Sequence, residues 1–316
     1  RLIGVAWSLA DLGLVARRGH AAFVQRHAQR ALELAAEALV HLVVQILAQV
    51  LGRRVDSRQN RDVVEVLEAQ RGQRARERLL RRREIVGLAR GWAYLTGQTV
   101  MVTGAGGSIG LELCMQVARA GPGRIVLLGH GETSLFEAQL RLRDAFPSVA
   151  LHLVVADIRD PRRLDRVFRR LAPRIVFHAA ACKHVPLMEE NFEEAISTNV
   201  VGTANVVEAA LGAGVERLVA ISTDKAVSPA GIMGASKRLA GTLVRDAGRR
   251  TGRAFLVVRF GNVLDSRGGV VSVFERQIRA GGPLTITHPG MTRFFMTVSE
   301  AVHLVLAAGG IGRGGE

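Results

Sequence analysis

The chain has 316 residues, 48% of them hydrophobic and 22% charged, which supplies a core for one large domain or two smaller ones and excludes disorder as its overall state. It carries 43 Lys and Arg against 28 Asp and Glu, a formal charge of +15, so its surface attracts anions such as phosphates, nucleic acid or acidic headgroups. Two cysteines, Cys114 and Cys182, are too few for a disulfide framework or a zinc site; no metal is expected, and a reducing cytoplasm is the expected compartment.

Of the 43 basic residues, 40 are Arg and only three are Lys: Lys183, Lys225 and Lys237. Where arginine is the default cation, a retained lysine marks a position that needs a compact ammonium with a tunable pKa. Tyrosine occurs once, at Tyr94.

In chain order, the first element is a helix from Ala31 to Leu51, whose Glu33, Glu37, His41, Gln45 and Gln49 fall four apart and draw one polar stripe on an apolar rod. That pattern is read as a helix packed on a partner surface, with an interfacial membrane helix as the alternative. It is not a membrane span. The chain begins with Arg1 rather than Met; an upstream span, if one precedes it, would put the protein at the inner face of a membrane. Between Arg53 and Arg90 lie twelve Arg, six acids and no aromatic residue, a charged helix or linker with solvated arginines rather than a nucleic-acid site.

From Gln98 the pattern changes to apolar runs, TVMVT, RIVLL, LHLVV, RIVFHA, RLVAIS and FLVVRF, separated by helical segments. Runs buried on both faces and alternating with helices predict an α/β fold, a doubly wound parallel sheet of Rossmann type. The expected organisation is a helical, Arg-rich segment over 1–97, a dinucleotide-binding domain over 98–258 and a small, truncated substrate region over 259–316.

The first run leads into Thr103, Gly104, Ala105, Gly106, Gly107, Ser108, Ile109 and Gly110 and then a helical pattern. Glycines 104, 107 and 110 serve a tight turn, close approach of backbone to a pyrophosphate and packing of helix on strand, with the phosphate at the helix N-terminus. After the second run the nearest carboxylate for an adenosine ribose is Glu132, which favours NAD, while His130 and nearby arginines leave NADP open. Asp157 and Ile158 follow the third run and are placed to meet the adenine; a helix N-cap is the competing role for Asp157.

Seven segments carry a family resemblance: Thr103 to Gly110, His178-Ala-Ala-Ala, Lys183-His-Val-Pro-Leu-Met-Glu189, Ser222-Thr-Asp-Lys-Ala226, Met233-Gly-Ala-Ser-Lys237, Arg259-Phe-Gly-Asn-Val263 and Thr292-Arg-Phe-Phe-Met-Thr297. Together they resemble the bacterial polysaccharide-biosynthesis family, of capsule type, whose members include UDP-N-acetylglucosamine 4,6-dehydratases of the extended short-chain dehydrogenase/reductase superfamily. The resemblance covers Gln98 to Glu316, and all three lysines fall inside it. Cys182 departs from the family's usual aromatic, and the chain stops at Glu316 where the family continues into another strand and helix.

The resemblance implies a UDP-sugar substrate, a tightly bound NAD or NADP, a homo-oligomer and association with a membrane surface. It implies that Ala179, Ala180, Ala181 and Lys237 join the glycine loop at the cofactor. It also implies that Lys183, His184, Asn262, Arg267, Gln277, Thr285 and Arg293 lie near the UDP-sugar, two of these arginines suiting a diphosphate. Carbon 5 of a hexose is not acidic until carbon 4 is a ketone, so hydride leaves carbon 4 first; elimination then needs a base at carbon 5 and an acid at carbon 6. In the family the acid matches Asp224 and the base Lys225, so Asp224 is expected neutral and Lys225 as a free amine. The superfamily's usual Tyr-x-x-x-Lys keeps its spacing here as Met233 to Lys237, but a thioether exchanges no proton. Thr223 and Asp224 are left to handle the carbon 4 hydroxyl. A sugar-nucleotide epimerase or dehydrogenase on the same fold, and an inactive nucleotide-binding scaffold, are the rival readings.

Overall fold

The computed structural model describes residues 92–264, 270–286, 293 and 295–316. The expected helix from Ala31 to Leu51 and the basic run of Arg53 to Arg90 lie outside the described residues. All six apolar runs form strands: β1 (Thr99–Thr103), β2 (Arg124–Gly129), β3 (Leu151–Val155), β4 (Ile175–His178), β5 (Arg217–Thr223) and β6 (Ala254–Phe260). They make one parallel sheet in the order β3-β2-β1-β4-β5-β6. This is the strand order of the dinucleotide-binding fold, and it reverses between β1 and β4, where such sheets bind ligands beyond the strands' carboxyl ends.

Period-two alternation explains why the runs are apolar throughout. Along β1, Val100 and Val102 enter one core cluster and Met101 the other; along β5, Val219 and Ile221 oppose Leu218 and Ala220. Both faces are therefore covered. One layer holds α1 (Ser108–Arg119) and α2 (Glu132–Ala145), whose Leu113, Val117, Leu135 and Leu142 join the first cluster. The other holds α3 (Pro161–Leu171), α6 (Gly202–Gly212) and α7 (Ile232–Thr251). Between β4 and α6 the chain makes two short helices, α4 (Val185–Glu190) and α5 (Phe192–Ala195), and a π-helical turn over Ile196–Val201.

Beyond β6 come β7 (Asn262–Val263), α8 (Val270–Arg279), β8 (Phe295–Met296) and α9 (Val298–Ile311). Strands β7 and β8 pair with each other in parallel. Val302, Val305 and Leu306 of α9 enter the first core cluster, and the Val257 N–H donates to the Glu316 carbonyl at 3.0 Å. Among the described residues no helix is long and apolar enough to cross a membrane.

Candidate active site

The glycine loop is shaped by what cannot fit beside it. Gly104 has φ +69°, and a Cβ there would stand 2.7 Å from the Ala180 backbone nitrogen, so the carboxyl ends of β1 and β4 approach as closely as backbones allow. A Cβ at Gly110 would overlap the Gly104 carbonyl. Gly107 is the N-cap of α1; no side chain caps that helix and no acid stands in its first turn, which leaves its N-terminus for an anion. These features fit a dinucleotide's pyrophosphate. Ser108 and Ile109 open α1, and Gly106 packs on Ser134 of α2.

Beneath the loop, His178 is 3% exposed and lies between two hydroxyls, Thr103 Oγ1 2.7 Å from Nδ1 and Thr203 Oγ1 2.9 Å from Nε2. Thr203 donates its one hydroxyl proton to the Asn199 carbonyl at 2.6 Å, so Nε2 carries the imidazole proton and Thr103 donates to Nδ1. Burial, reinforced by the charge of Lys237, pushes the His178 pKa down to about 3. The ring is a neutral strut that ties β1, β4 and α6 together.

Asn199, 1% exposed in the π-helical turn, accepts the Cys182 N–H at 2.8 Å and donates to the Cys182 carbonyl and to Ser236 Oγ, both at 3.0 Å. It fixes the loop after Ala179, Ala180 and Ala181 to α7. Glu189 accepts the Ile232 N–H at 2.8 Å and so caps α7 from another element; a carboxylate there also suits the positive end of the helix. Neither residue was singled out by the sequence pattern: Asn199 is one of two Asn in a stretch, 196–207, that also holds Ser197, Thr198 and Thr203, and Glu189 acts on a helix 43 residues further on.

On α7, Met233 is 4% exposed and packed, and its carbonyl accepts from Ser236 Oγ at 2.8 Å. Lys237 lies one turn on and donates to the Ile221 carbonyl at 2.6 Å; burial pushes its pKa down to about 8. At the end of β5, Thr223 Oγ1 donates to Asp224 Oδ1 at 2.8 Å, as does the Lys225 backbone N–H. Lys225 Nζ lies 3.0 Å from Asp224 Oδ1 and 3.0 Å from Asn262 Oδ1. Burial raises the Asp224 carboxyl, but the hydrogen bonds from Lys225 and Thr223 and the ammonium charge outweigh it, and the group sits below its ordinary value. Asp224 is therefore held as a carboxylate in the free protein, whereas the elimination expected of it calls for the neutral acid.

Asp157 accepts from the Arg159 backbone at 2.9 Å and pairs with its guanidinium at 2.7 Å, while Arg159 also reaches Glu194. The side-chain bond from Arg159, together with the guanidinium charge, holds the Asp157 carboxyl below its usual value against partial burial. Asp157 is not a helix cap: Asp160 caps α3, accepting from the Arg163 N–H at 2.9 Å, with Pro161 in the first turn. Ile158 is buried, and Glu132 is exposed at the start of α2. Lys183 and His184 lie at the surface where α4 begins. Gln277 and Thr285 bond each other reciprocally at 3.1 and 3.2 Å. Arg293 is exposed, and Arg267 lies outside the described residues. Tyr94 stands apart from all of these: its hydroxyl donates to the Leu306 carbonyl at 2.9 Å, Arg217 stacks on its ring, and burial pushes the phenol up.

A family model described as polysaccharide biosynthesis protein matches residues 100–316. The chain is 49% identical over 221 residues to the probable polysaccharide biosynthesis protein EpsC of Bacillus subtilis, covering 70% of this chain and 37% of that protein. It is 49% identical over 224 residues to the capsular polysaccharide biosynthesis protein CapD of Staphylococcus aureus, with the same two coverages, 70% and 37%. The chain thus spans little more than a third of the length of these curated relatives. Among solved structures it is similar to Pen of Bacillus thuringiensis, with TM-score 0.65 and 34% identity over 70% of this chain and 68% of that one. A double mutant of DesIV, a dTDP-glucose 4,6-dehydratase of Streptomyces venezuelae, solved with NAD, gives TM-score 0.62 and 25% identity over 69% of this chain and 73% of that one.

Proposed function

The chain belongs to this family of polysaccharide biosynthesis proteins, and on that premise we propose that it is a nucleotide-sugar 4,6-dehydratase acting on a UDP-N-acetylhexosamine, with UDP-GlcNAc the first candidate. The observation that carries the reading is the Asp224–Lys225 pair, 3.0 Å apart at the carboxyl end of β5, beside a helix that presents Met233 where a phenol would otherwise take a proton. A 4-epimerase or a dehydrogenase acting at carbon 4 also moves a proton at carbon 4 but has no use for a base at carbon 5.

The glycine loop, Ala179, Ala180, Ala181 and Lys237 would hold NAD or NADP, with NAD favoured by Glu132; when bound, the nicotinamide supplies a hydride acceptor at carbon 4 and a donor at carbon 6. The proton work falls to the chain. Asp224, ionised at rest, takes the carbon 4 hydroxyl proton through the Thr223 hydroxyl that already bonds it. That proton makes Asp224 the acid required next. Lys225 as free amine removes the carbon 5 proton while Asp224 returns its own to the departing carbon 6 hydroxyl, releasing one water. After hydride reaches carbon 6, Lys225 gives its proton back to carbon 5. Asp224 ends ionised and Lys225 ends neutral, so the cycle closes with loss of water alone.

The proposed division is a dinucleotide-binding domain over 98–258 and a partial substrate region over 259–316, with Arg267 and Arg293 reserved for the diphosphate. The test is incubation with UDP-GlcNAc. A product lighter by one water, with no net build-up of reduced cofactor, is expected; stoichiometric reduced cofactor overturns the dehydratase in favour of a dehydrogenase.

A further inference from the structure

A lysine that acts as a base must present a lone pair in one direction, and its remaining N–H bonds decide which direction that is. In the structure Lys225 Nζ has two side-chain acceptors, Asp224 Oδ1 and Asn262 Oδ1, each at 3.0 Å. A neutral amine has two N–H bonds and one lone pair, so two acceptors occupy both hydrogens and leave the lone pair in the one remaining tetrahedral direction. Asp224 is adjacent in sequence and bound to the same turn. Asn262 comes from 37 residues away and is the only one of the two that locates the amine relative to the rest of the site.

Asn262 is built to hold still. It opens β7, paired in register with Phe295 of β8, and the next turn is tied by the Leu264 N–H donating to the Met296 carbonyl at 2.8 Å. On the opposite side α7 packs on the turn of Asp224–Ala226, where a Cβ on Gly234 would overlap the Lys225 carbonyl. The Lys225 backbone is thus seated against α7 and its amine against β7. Resting on the dehydratase reading above, we propose that Asn262 is a positioning residue for Lys225: its side-chain oxygen fixes which Nζ hydrogen leaves and aims the lone pair at carbon 5.

Among the described residues, few charged groups surround Lys225. On its own turn stands Asp224. From α7, Lys237 is turned to the Ile221 carbonyl and Arg238 to the Val227 carbonyl; β7, Asn262–Val263, contributes no charge.

The sequence makes a direct test possible, because only three lysines exist. Lysine labelled with ¹³C at Cε gives three side-chain NMR signals, assigned by Lys→Arg variants and titrated in the whole protein without any sugar. Asn262→Asp is expected to raise the Lys225 midpoint and Asn262→Leu to lower it, each by about one pH unit, a change typical of gaining a charge or losing a hydrogen bond to one. Lys183 and Lys237 should not move. Asn262→Leu should also slow solvent exchange of the carbon 5 hydrogen about tenfold or more while affinity for UDP alone stays within about twofold. A Lys225 midpoint unmoved in both variants, or a loss of UDP affinity with the Lys225 titration intact, overturns the proposal and returns Asn262 to a plain substrate contact. Opposite shifts at Lys225 without water loss from UDP-GlcNAc in the parent protein would uphold the coupling and sink the dehydratase reading instead.

Discussion

The two halves of the reactive edge are made of different materials. Around β1 and β4 the site is backbone, glycine and a neutral buried imidazole: Gly104 against Ala180, Gly107 uncapped, His178 locked between two threonines. Around β5 and β7 it is ionisable side chains that remain partly open to water, with Lys225 35% and Asp224 41% exposed and bonded to partners that the proposed reaction would have them exchange. A cofactor that stays bound calls for a cradle that never rearranges; protons that move call for groups whose partners change.

The largest effects are expected on the exchanging half. Asp224→Asn keeps the shape and removes the proton carrier, so water loss should slow by roughly 10²–10⁴-fold, the usual worth of one proton-transfer group, with cofactor retention unchanged. Lys225→Ala should leave some oxidation at carbon 4 and abolish exchange of the carbon 5 hydrogen with deuterated water. Full exchange in Lys225→Ala would move the base to Lys183 or His184.

The rigid half should respond to sterics rather than to chemistry. Gly110→Ala places a methyl on the Gly104 carbonyl, so either α1 withdraws or the loop opens, at a cost of about 1–3 kcal/mol typical of overpacking. Purified variant should carry less bound nicotinamide and melt earlier, both read on one sample. A Gly110→Ala protein that retains cofactor and melting point would show that the cradle is softer than its contacts indicate.

His178 gives the rigid half a pH signature. Its folded pKa is about 3, against about 6.5 for an unperturbed imidazole. The unfolded chain therefore binds the extra proton between those values. The stability that this residue contributes is intact above about pH 6.5 and falls by up to about 1.4 kcal/mol for each unit of acidification toward pH 3. Urea unfolding at pH 7 and pH 5 should show this slope, and His178→Leu should flatten it. Equal slopes in the two proteins would mean the ring is protonated in the fold, and the tautomer assignment would fail with it.

Much of the rigid half was readable from sequence because its causes are local. Six apolar runs became the six strands since a strand buried on both faces needs nothing but apolar residues, and the glycine spacing encodes sterics within eight residues of chain. The exchanging half was readable only as residue types. That Asn262 bonds Lys225, and that Glu189 caps α7 from 43 residues upstream, follows from topology that brings distant loops to one edge. Asp157 and Asp160 make a smaller case: of the two roles open to Asp157, the helix cap belongs to Asp160 three residues on, where Pro161 was the local mark of a helix start.

The smallest predicted effect tests whether the missing phenol is made good from elsewhere. Tyr94 is the chain's one tyrosine, and its hydroxyl donates to the Leu306 carbonyl of α9, a helix that packs in the same core cluster as α1 and α2. Tyr94→Phe keeps the ring beneath Arg217, whose guanidinium lies 5.1 Å from its centre, and removes one hydrogen bond. The expected loss is about 0.5–1.5 kcal/mol, which for a domain of this size lowers the melting temperature by only a few degrees. Water loss and carbon 5 exchange should proceed at the parent rate. A fall in turnover larger than the fall in stability explains would place a phenol in the proton path after all, and the Thr223–Asp224 relay would then lose its reason to exist.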